Sequence, residues 1–136
     1  MKFTSKHIKQ LQSSGKIRGF SSSYKRVVVP REKPKGIAWL ETNLAYWCNS
    51  RCVTLEQEYR FDPERRWLSD FAIPAFKVLV EYEGGIFMAR GGHNSPKGIQ
   101  RDISKYNSAQ VLGWKVIRCT CLDYTTVIKT LNSIVK

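Results

Sequence analysis

One segment of the sequence limits the choice of fold, because a strand, a connector, a helix and a second strand follow one another within it. KVLVEYEG predicts a strand, and the connector GGIFMARGGHNSPKG is long and rich in glycine, as working loops often are. In GIQRDISKYNSAQVLGW, Gly113 stands at a helix stop position, and apolar residues recur along one side: Ile99, Ile103, Tyr106 and Val111. WKVIRCT then predicts another strand. A helix that crosses over between neighbouring strands is typical of an α/β sandwich.

The flanking sequence completes this pattern. GIAWLETNLAYWCNS has apolar residues at helical spacing, which predicts a helix over residues 36–49. The loose alternation of VTLEQEYRF predicts a strand, and PERR predicts a turn after it. WLSDFAI predicts a second strand, which a tight PAF break joins to KVLVEYEG. LDYTTVIKTLNSIVK predicts a closing amphipathic helix. The expected order is αβββαβα, a mixed four-stranded sheet flanked by helices.

The first part of the chain differs from the rest in charge. The formal net charge is +12, and residues 1–35 carry ten Lys and Arg against the single acid Glu32, whereas the remainder carries 13 basic and 10 acidic residues. A composition of Ser, Pro and Lys predicts a linker, so we expect a basic arm and linker over residues 1–34 and a domain over residues 35–136. Within the arm we expect a short helix that Gly15 ends and a brief strand at Val27–Val29. Such an arm suits nucleic acid, with solubility or other anions as the alternatives. Its expected phosphate contacts include Lys16, Arg18, Lys25 and Arg26.

Two further features limit the class of protein. No apolar run approaches about 18 residues, and MKFTSKHIKQLQ lacks the apolar block of a secretory signal, so we expect a cytoplasmic protein without membrane contact. The four cysteines form a CxxxC and a CxC pair that could close a tetrahedral zinc site. The pairs lack the usual CxxC spacing and fall in predicted regular elements, which favours buried thiols over zinc ligands or disulfides.

Three acids interrupt the otherwise apolar second and third strands. Asp70 lies on the second strand, and Glu81 and Glu83 end the third on the same face. If the two strands pair, an Asp and a Glu can approach each other. Carboxylates that converge without a cation repel one another, and Mg²⁺ relieves this repulsion with oxygen ligands and waters. The alternative is that the two glutamates face solvent and Asp70 caps a turn.

These motifs resemble the core of the PD-(D/E)xK nucleases. An acid on one strand, a tight return and an acid at the end of VLVE are similar to that core, as is the order of helix, three strands, helix and strand. GGHNSPKGIQRDISKYNSAQVLGWKVIRCT further resembles the branch of very short patch repair endonucleases and phage-encoded homing nucleases. There a Gly-rich loop with a histidine leads into a helix with an acid and a K-x-N-x-A run. The resemblance covers roughly residues 36–121 and implies a restriction-endonuclease-like fold.

The resemblance also implies a set of metal ligands. Asp70 matches the first metal-binding aspartate and Glu81 the second acid, while the backbone carbonyl of Tyr82 would complete the inner shell. Glu83 occupies the position of the usual lysine, a departure that is common in the histidine-bearing branch, and would assist directly or through water. Glu41 resembles a helical glutamate that some members add to the metal site.

Residues beyond the metal ligands are implied as well. His93 and Asp102 match the loop and helix residues of the branch, and a loop histidine can act as general base or acid. Arg101 and Lys105 are four residues apart on the predicted helix, so they share a face and, with Lys97, could hold the scissile phosphate. Lys105 could also replace the missing strand lysine. A solvated helix face is the rival explanation for these cations.

The sequence thus predicts a Mg²⁺-dependent DNA endonuclease, in which Mn²⁺ could substitute, acting on double-stranded or branched DNA. The metal would acidify a water and stabilise charge at phosphorus. The resemblance implies 5′-phosphate and 3′-hydroxyl products and suits a phage or mobile element in a bacterial host. Double-strand cleavage would require a homodimer. The alternatives are a catalytically inactive nucleic-acid-binding module of the same fold and a zinc-stabilised interaction protein.

Overall fold

The computed structural model describes residues 31–85, 87 and 95–136, and within it Glu32–Lys136 form one compact unit. The predicted short helix and brief strand of the basic arm lie outside the described residues. Among the helices that are described, none is long and apolar enough to cross a membrane.

The described chain follows the predicted order of elements. Helix α1 (Lys35–Asn49) precedes strands β1 (Glu56–Arg60), β2 (Leu68–Ile73) and β3 (Val78–Tyr82), which are followed by α2 (Pro96–Val111), β4 (Lys115–Cys119) and α3 (Val127–Ile134). The PAF break is a short 3-10 helix, Pro74–Phe76, after which Lys77 adopts a left-handed conformation with φ of 51°. The closing helix is shorter than predicted, because Tyr124–Thr126 form a 3-10 turn before it.

The strands form one mixed sheet in the order β1-β2-β3-β4, which confirms the predicted four-stranded sheet. β2 pairs antiparallel with β1 and with β3, and Phe71 lies opposite Val80. β3 and β4 are parallel, with Val80 opposite Ile117. Parallel neighbours need a crossover, and α2 supplies it, as the sequence predicted.

Alternate residues of β2, β3 and β4 enter two separate apolar cores. Val78 and Val80 of β3 pack with α1 and α3 through residues such as Leu44 and Leu131. Leu79 faces the other side, where it packs with Ala72 and with Ala109 of α2. Period-two alternation therefore places Glu81, two residues after Leu79, on the side of the sheet that α2 covers.

The apolar side predicted for α2 is wrong, although the helix itself is confirmed. Ile99 and Ile103 are each 48% exposed, and Val111 is exposed too. Instead, the inner side is formed by partly or fully buried residues at helical spacing: Gly98, Asp102, Lys105 and Ala109. The helix covers acidic residues of the sheet at this end, so polar side chains occupy the positions that an ordinary core would give to Leu or Ile.

The cysteines also divide between two environments. Cys48 and Cys119 are buried in the core between the sheet and α1, as predicted for structural thiols. Burial raises the pKa of the Cys119 thiol to about 12, so that side chain stays protonated at neutral pH. Cys52 and Cys121 are exposed, which corrects the expectation that all four thiols are buried.

Candidate active site

Asp70 and Glu81 lie side by side on β2 and β3. In this antiparallel pair Phe71 lies opposite Val80, and one further residue along each strand brings Asp70 opposite Glu81. Oδ2 of Asp70 accepts a hydrogen bond of 2.7 Å from the backbone N–H of Tyr82, the residue that follows Glu81. The two strands therefore pair as the sequence required, and Asp70 binds its neighbouring strand rather than capping a turn.

Glu81 is a buried acid with one cation beside it. Only 6% of the residue is exposed, and Nζ of Lys105 lies 2.8 Å from Oε1. At this distance the ammonium can donate a charge-assisted hydrogen bond, so the contact is a buried ion pair. Burial raises the pKa of Glu81, Lys105 lowers it in opposition, and the charge of Asp70 raises it further.

Glu83 is held by a different set of donors. The residue is 7% exposed, and its Oε1 accepts hydrogen bonds from Tyr106 Oη at 2.9 Å and from Nε and Nη2 of Arg118 at 3.0 and 2.9 Å. Burial above all, with the charges of Glu81 and Glu83, raises the pKa of Tyr106, which keeps its hydroxyl a donor. The two glutamates are thus buried, and the alternative in which they face solvent is wrong.

These contacts change the expected role of Glu83. The prediction made it an assisting metal ligand, but Arg118 and Tyr106 engage it. Within the described ranges, moreover, no group of three or more His, Cys, Asp or Glu side chains is arranged so that it could hold a metal ion. The remaining candidate ligands are the pair Asp70 and Glu81.

A cavity of about 360 Å³ opens above these acids. Asp70, Glu81 and Glu83 line it, together with residues of α2. Arg101 of α2 and Arg66, from the turn before β2, also line it. Five of the six predicted catalytic residues line this one cavity: Asp70, Glu81, Glu83, Asp102 and Lys105.

The predicted phosphate-binding residues of α2 lie at its first turns. Lys97 and Arg101 are exposed and line a second pocket, beside Ser95, whose Oγ accepts a hydrogen bond of 3.0 Å from the N–H of Gly98. Arg101 belongs to both pockets. Lys105 differs from these two cations, because its side chain is only 14% exposed and points to Glu81.

Other predicted residues are not brought to this cavity. Glu41 forms an ion pair of 2.8 Å with Lys33 and accepts a hydrogen bond from Gln57, and its hydrogen bond with Lys33 lowers its pKa. It does not line the cavity, so it is not placed as the added metal ligand. His93 lies outside the described residues. So do the four arm cations predicted to contact phosphate, which are Lys16, Arg18, Lys25 and Arg26.

Sequence reasoning missed Arg118 and the role of Tyr106. Arg118 stands two residues after Val116 in β4, so alternation alone would have placed it on the side of the sheet that carries Glu81. Tyr106 was assigned to an apolar helix side, and its position one turn after Asp102 was the available signal that it faces the acids.

The donor set at the strand ends fits a hard divalent cation. Mg²⁺ is commonly bound by one or two carboxylates together with waters and substrate phosphate. Asp70 and Glu81 supply two carboxylates from neighbouring strands, and both line the same cavity. Comparison of the sequence with protein-family models and with curated proteins finds no match.

Proposed function

We propose that the protein is a divalent-metal-dependent DNA endonuclease, with Mg²⁺ as its ion and a restriction-endonuclease-like core. The observation that carries this proposal is the pair Asp70 and Glu81 in a cavity that cations also line. A buried acid with a raised pKa in a cleft is a frequent mark of a functional site. The strongly basic charge of the chain supports a polyanionic substrate.

The residues of the cavity divide the work. Asp70 and Glu81 would hold the ion, and the N–H of Tyr82 fixes the Asp70 carboxylate at 2.7 Å. A bound Mg²⁺ supplies Lewis acidity and lowers the pKa of a coordinated water. Lys105, whose ammonium lies 2.8 Å from Glu81, is positioned to donate to a phosphate oxygen next to the acids. Arg101 and Lys97 would bind phosphates of the same strand.

Three further residues are proposed to act around the two metal ligands. His93 is proposed as general base or acid from the glycine-rich connector. Asp102 lines the cavity from α2 and, as the resemblance implies, is proposed as a catalytic residue of the helix. Glu83 is proposed to act indirectly, because its contacts with Arg118 and Tyr106 fix the end of β3 next to Glu81.

A catalytically inactive nucleic-acid-binding module is the second candidate. The ion pairs of Lys105 with Glu81 and of Arg118 with Glu83 favour it, because they balance both buried acids without a metal. A zinc-stabilised protein is less well supported, since Cys48 and Cys119 are packed in an apolar core. About one zinc per purified chain would support that candidate.

The deciding experiment is cleavage of supercoiled plasmid and of a four-way junction with Mg²⁺. The wild type is compared with Asp70→Ala, Glu81→Ala and the control Glu56→Ala, which removes an exposed acid from β1. We expect the wild type and the control to cut, and both site variants to bind DNA without cutting. A wild type that binds but never cuts, even with Mn²⁺, would establish the binding module instead.

A further inference from the structure

The turn between β1 and β2 is held by two charged side chains. From the end of β1, Arg60 donates to the carbonyls of Asp62 and Arg65 through Nε and to that of Pro63 through Nη2, each at 3.1 Å. Oδ1 of Asp62 accepts the backbone N–H groups of Glu64 and Arg65, both at 2.8 Å. Five backbone groups of the turn are therefore bonded to these two side chains.

The same turn is fixed to α2. Oδ2 of Asp62 accepts a hydrogen bond from Oγ of Ser108, and Asp62 is only 5% exposed. A surface turn could satisfy its polar groups with water, so this degree of internal bonding specifies one conformation. The turn and the helix that carries Arg101 and Lys105 consequently keep a fixed relation across the cavity.

The fixed turn presents Arg66 and Trp67 to the cavity. Both residues line it, and the guanidinium of Arg65 lies 5.4 Å from the centroid of the Trp67 ring. Arg66 is exposed, and within the described part of the chain its guanidinium has no hydrogen bond or ion pair. It is thus a cation at the cavity whose charge is not used by the fold, unlike Lys105 and Arg118.

A cation that the fold does not use would favour a nucleic acid at this cavity. Lys105 and Arg118 balance Glu81 and Glu83, but a phosphodiester would still meet the negative charge of Asp70. Arg101 offers positive charge from α2, on one side, and Arg66 offers it from the turn. Cations from two different elements can contact the phosphates of one strand at two points.

From this arrangement we propose that Arg66 is a phosphate-contacting residue, and that the β1–β2 turn binds the backbone of the nucleic-acid strand that crosses the cavity. The inference rests on the proposed function insofar as the cavity receives nucleic acid. Because the contact is with phosphate, it positions the strand and carries no sequence preference.

The test is the salt dependence of binding by the full chain. A fluorescently labelled duplex is titrated at several salt concentrations in EDTA, so that no cleavage occurs. Removal of one phosphate-binding cation should lower the slope of log Kd against log salt by about 0.9 for duplex DNA. We expect Arg66→Ala to show this change and a several-fold weaker affinity, and Arg66→Lys to restore most of the slope.

Lys129→Ala is the matched control, because it removes the same charge from an exposed position on α3. We expect its slope to equal that of the wild type, and the Tm of both alanine variants to match that of the wild type. An equal slope for Arg66→Ala and Lys129→Ala would overturn the assignment. Failure of the proposed function looks different: the wild type then binds without Mg²⁺-dependent cleavage, while the slope change at Arg66 persists.

Discussion

Glu81 is buried beside Asp70, and burial raises the pKa of its carboxyl above the ordinary value of 4.5 while Lys105 acts in opposition. The folded protein therefore keeps a proton on Glu81 at a pH where the unfolded chain has lost it. Stability from this group is fully present below the unfolded pKa and is lost as pH rises through the folded pKa. Wherever Glu81 is ionised in the folded protein, its burial costs stability, as expected of a residue retained for binding a cation.

Glu81→Gln removes this titration. Comparing the variant with the wild type tests both the raised pKa of Glu81 and the binding of a metal ion by its carboxylate. We expect the free energy of unfolding of Glu81→Gln, relative to wild type, to rise between pH 4 and pH 7, as measured by urea denaturation at both values. Taking the difference removes any constant effect of leaving Lys105 without its partner. Mg²⁺ should raise the Tm of the wild type, because an ion that binds the folded state stabilises that state. It should not raise the Tm of the variant, which lacks the Glu81 carboxylate. A relative stability that is independent of pH would contradict the raised pKa.

At the scale of elements, the start of α1 packs against the end of β3 through a glycine. A Cβ on Gly36 would lie 2.9 Å from Cζ and from Oη of Tyr82 and closer still to Cε2. The same Tyr82 donates its N–H to Asp70, so this contact joins the helix to the candidate site. Only a residue without a side chain lets the ring occupy this place against the helix.

Gly36→Ala should therefore destabilise the protein, although alanine is the better helix former by up to about 1 kcal/mol. Overpacking of a formed contact costs about 1–3 kcal/mol, so we expect a net loss of stability in urea denaturation. In a Tyr82→Ala background the ring is absent, and the same substitution should be neutral or stabilising. Equal effects of Gly36→Ala in the two backgrounds would show that the ring does not oppose the added methyl group.

The elements themselves were readable because their burial is apolar. Val78, Leu79 and Val80 fill both cores and give β3 a continuous apolar run, and α1 shows helical spacing at Leu40 and Leu44. The orientation of α2 was misread for the opposite reason: its inner side holds Asp102 and Lys105 over the acids, while Ile99 and Ile103 are exposed. Hydrophobic periodicity reports the buried side of a helix only where that side is apolar.

Contacts between distant positions set the second limit. Asp70 and Glu81 could be placed together because one tight turn joins their strands, and the antiparallel register follows from it. The pairing of Glu83 with Arg118 spans 35 residues and depends on which strand α2 leads back to. The bonds of Asp62 with Ser108 and with the turn amides depend equally on tertiary placement, so PERR showed only that a turn was present.

At the scale of the whole molecule, positive charge is concentrated in the first part of the chain. Ten of the 23 Lys and Arg residues precede residue 36, whereas the domain combines acids and a few cations in one cavity. A polyanion would gain most of its affinity from the arm and its alignment from Arg66 and Arg101. Affinity and alignment should then be separable by substitution.

Replacing Lys16, Arg18, Lys25 and Arg26 by alanine lowers the formal net charge from +12 to +8. Each phosphate-binding cation removed should lower the salt slope of duplex binding by about 0.9, so the slope should fall by up to about 3.6. Affinity should decrease equally for unrelated sequences, because phosphate contacts do not read bases. The measurement is fluorescence anisotropy over a range of salt, with a control variant in which each Lys becomes Arg and each Arg becomes Lys. That control keeps the charge and should keep the slope; a loss of affinity confined to one sequence would instead assign base recognition to the arm.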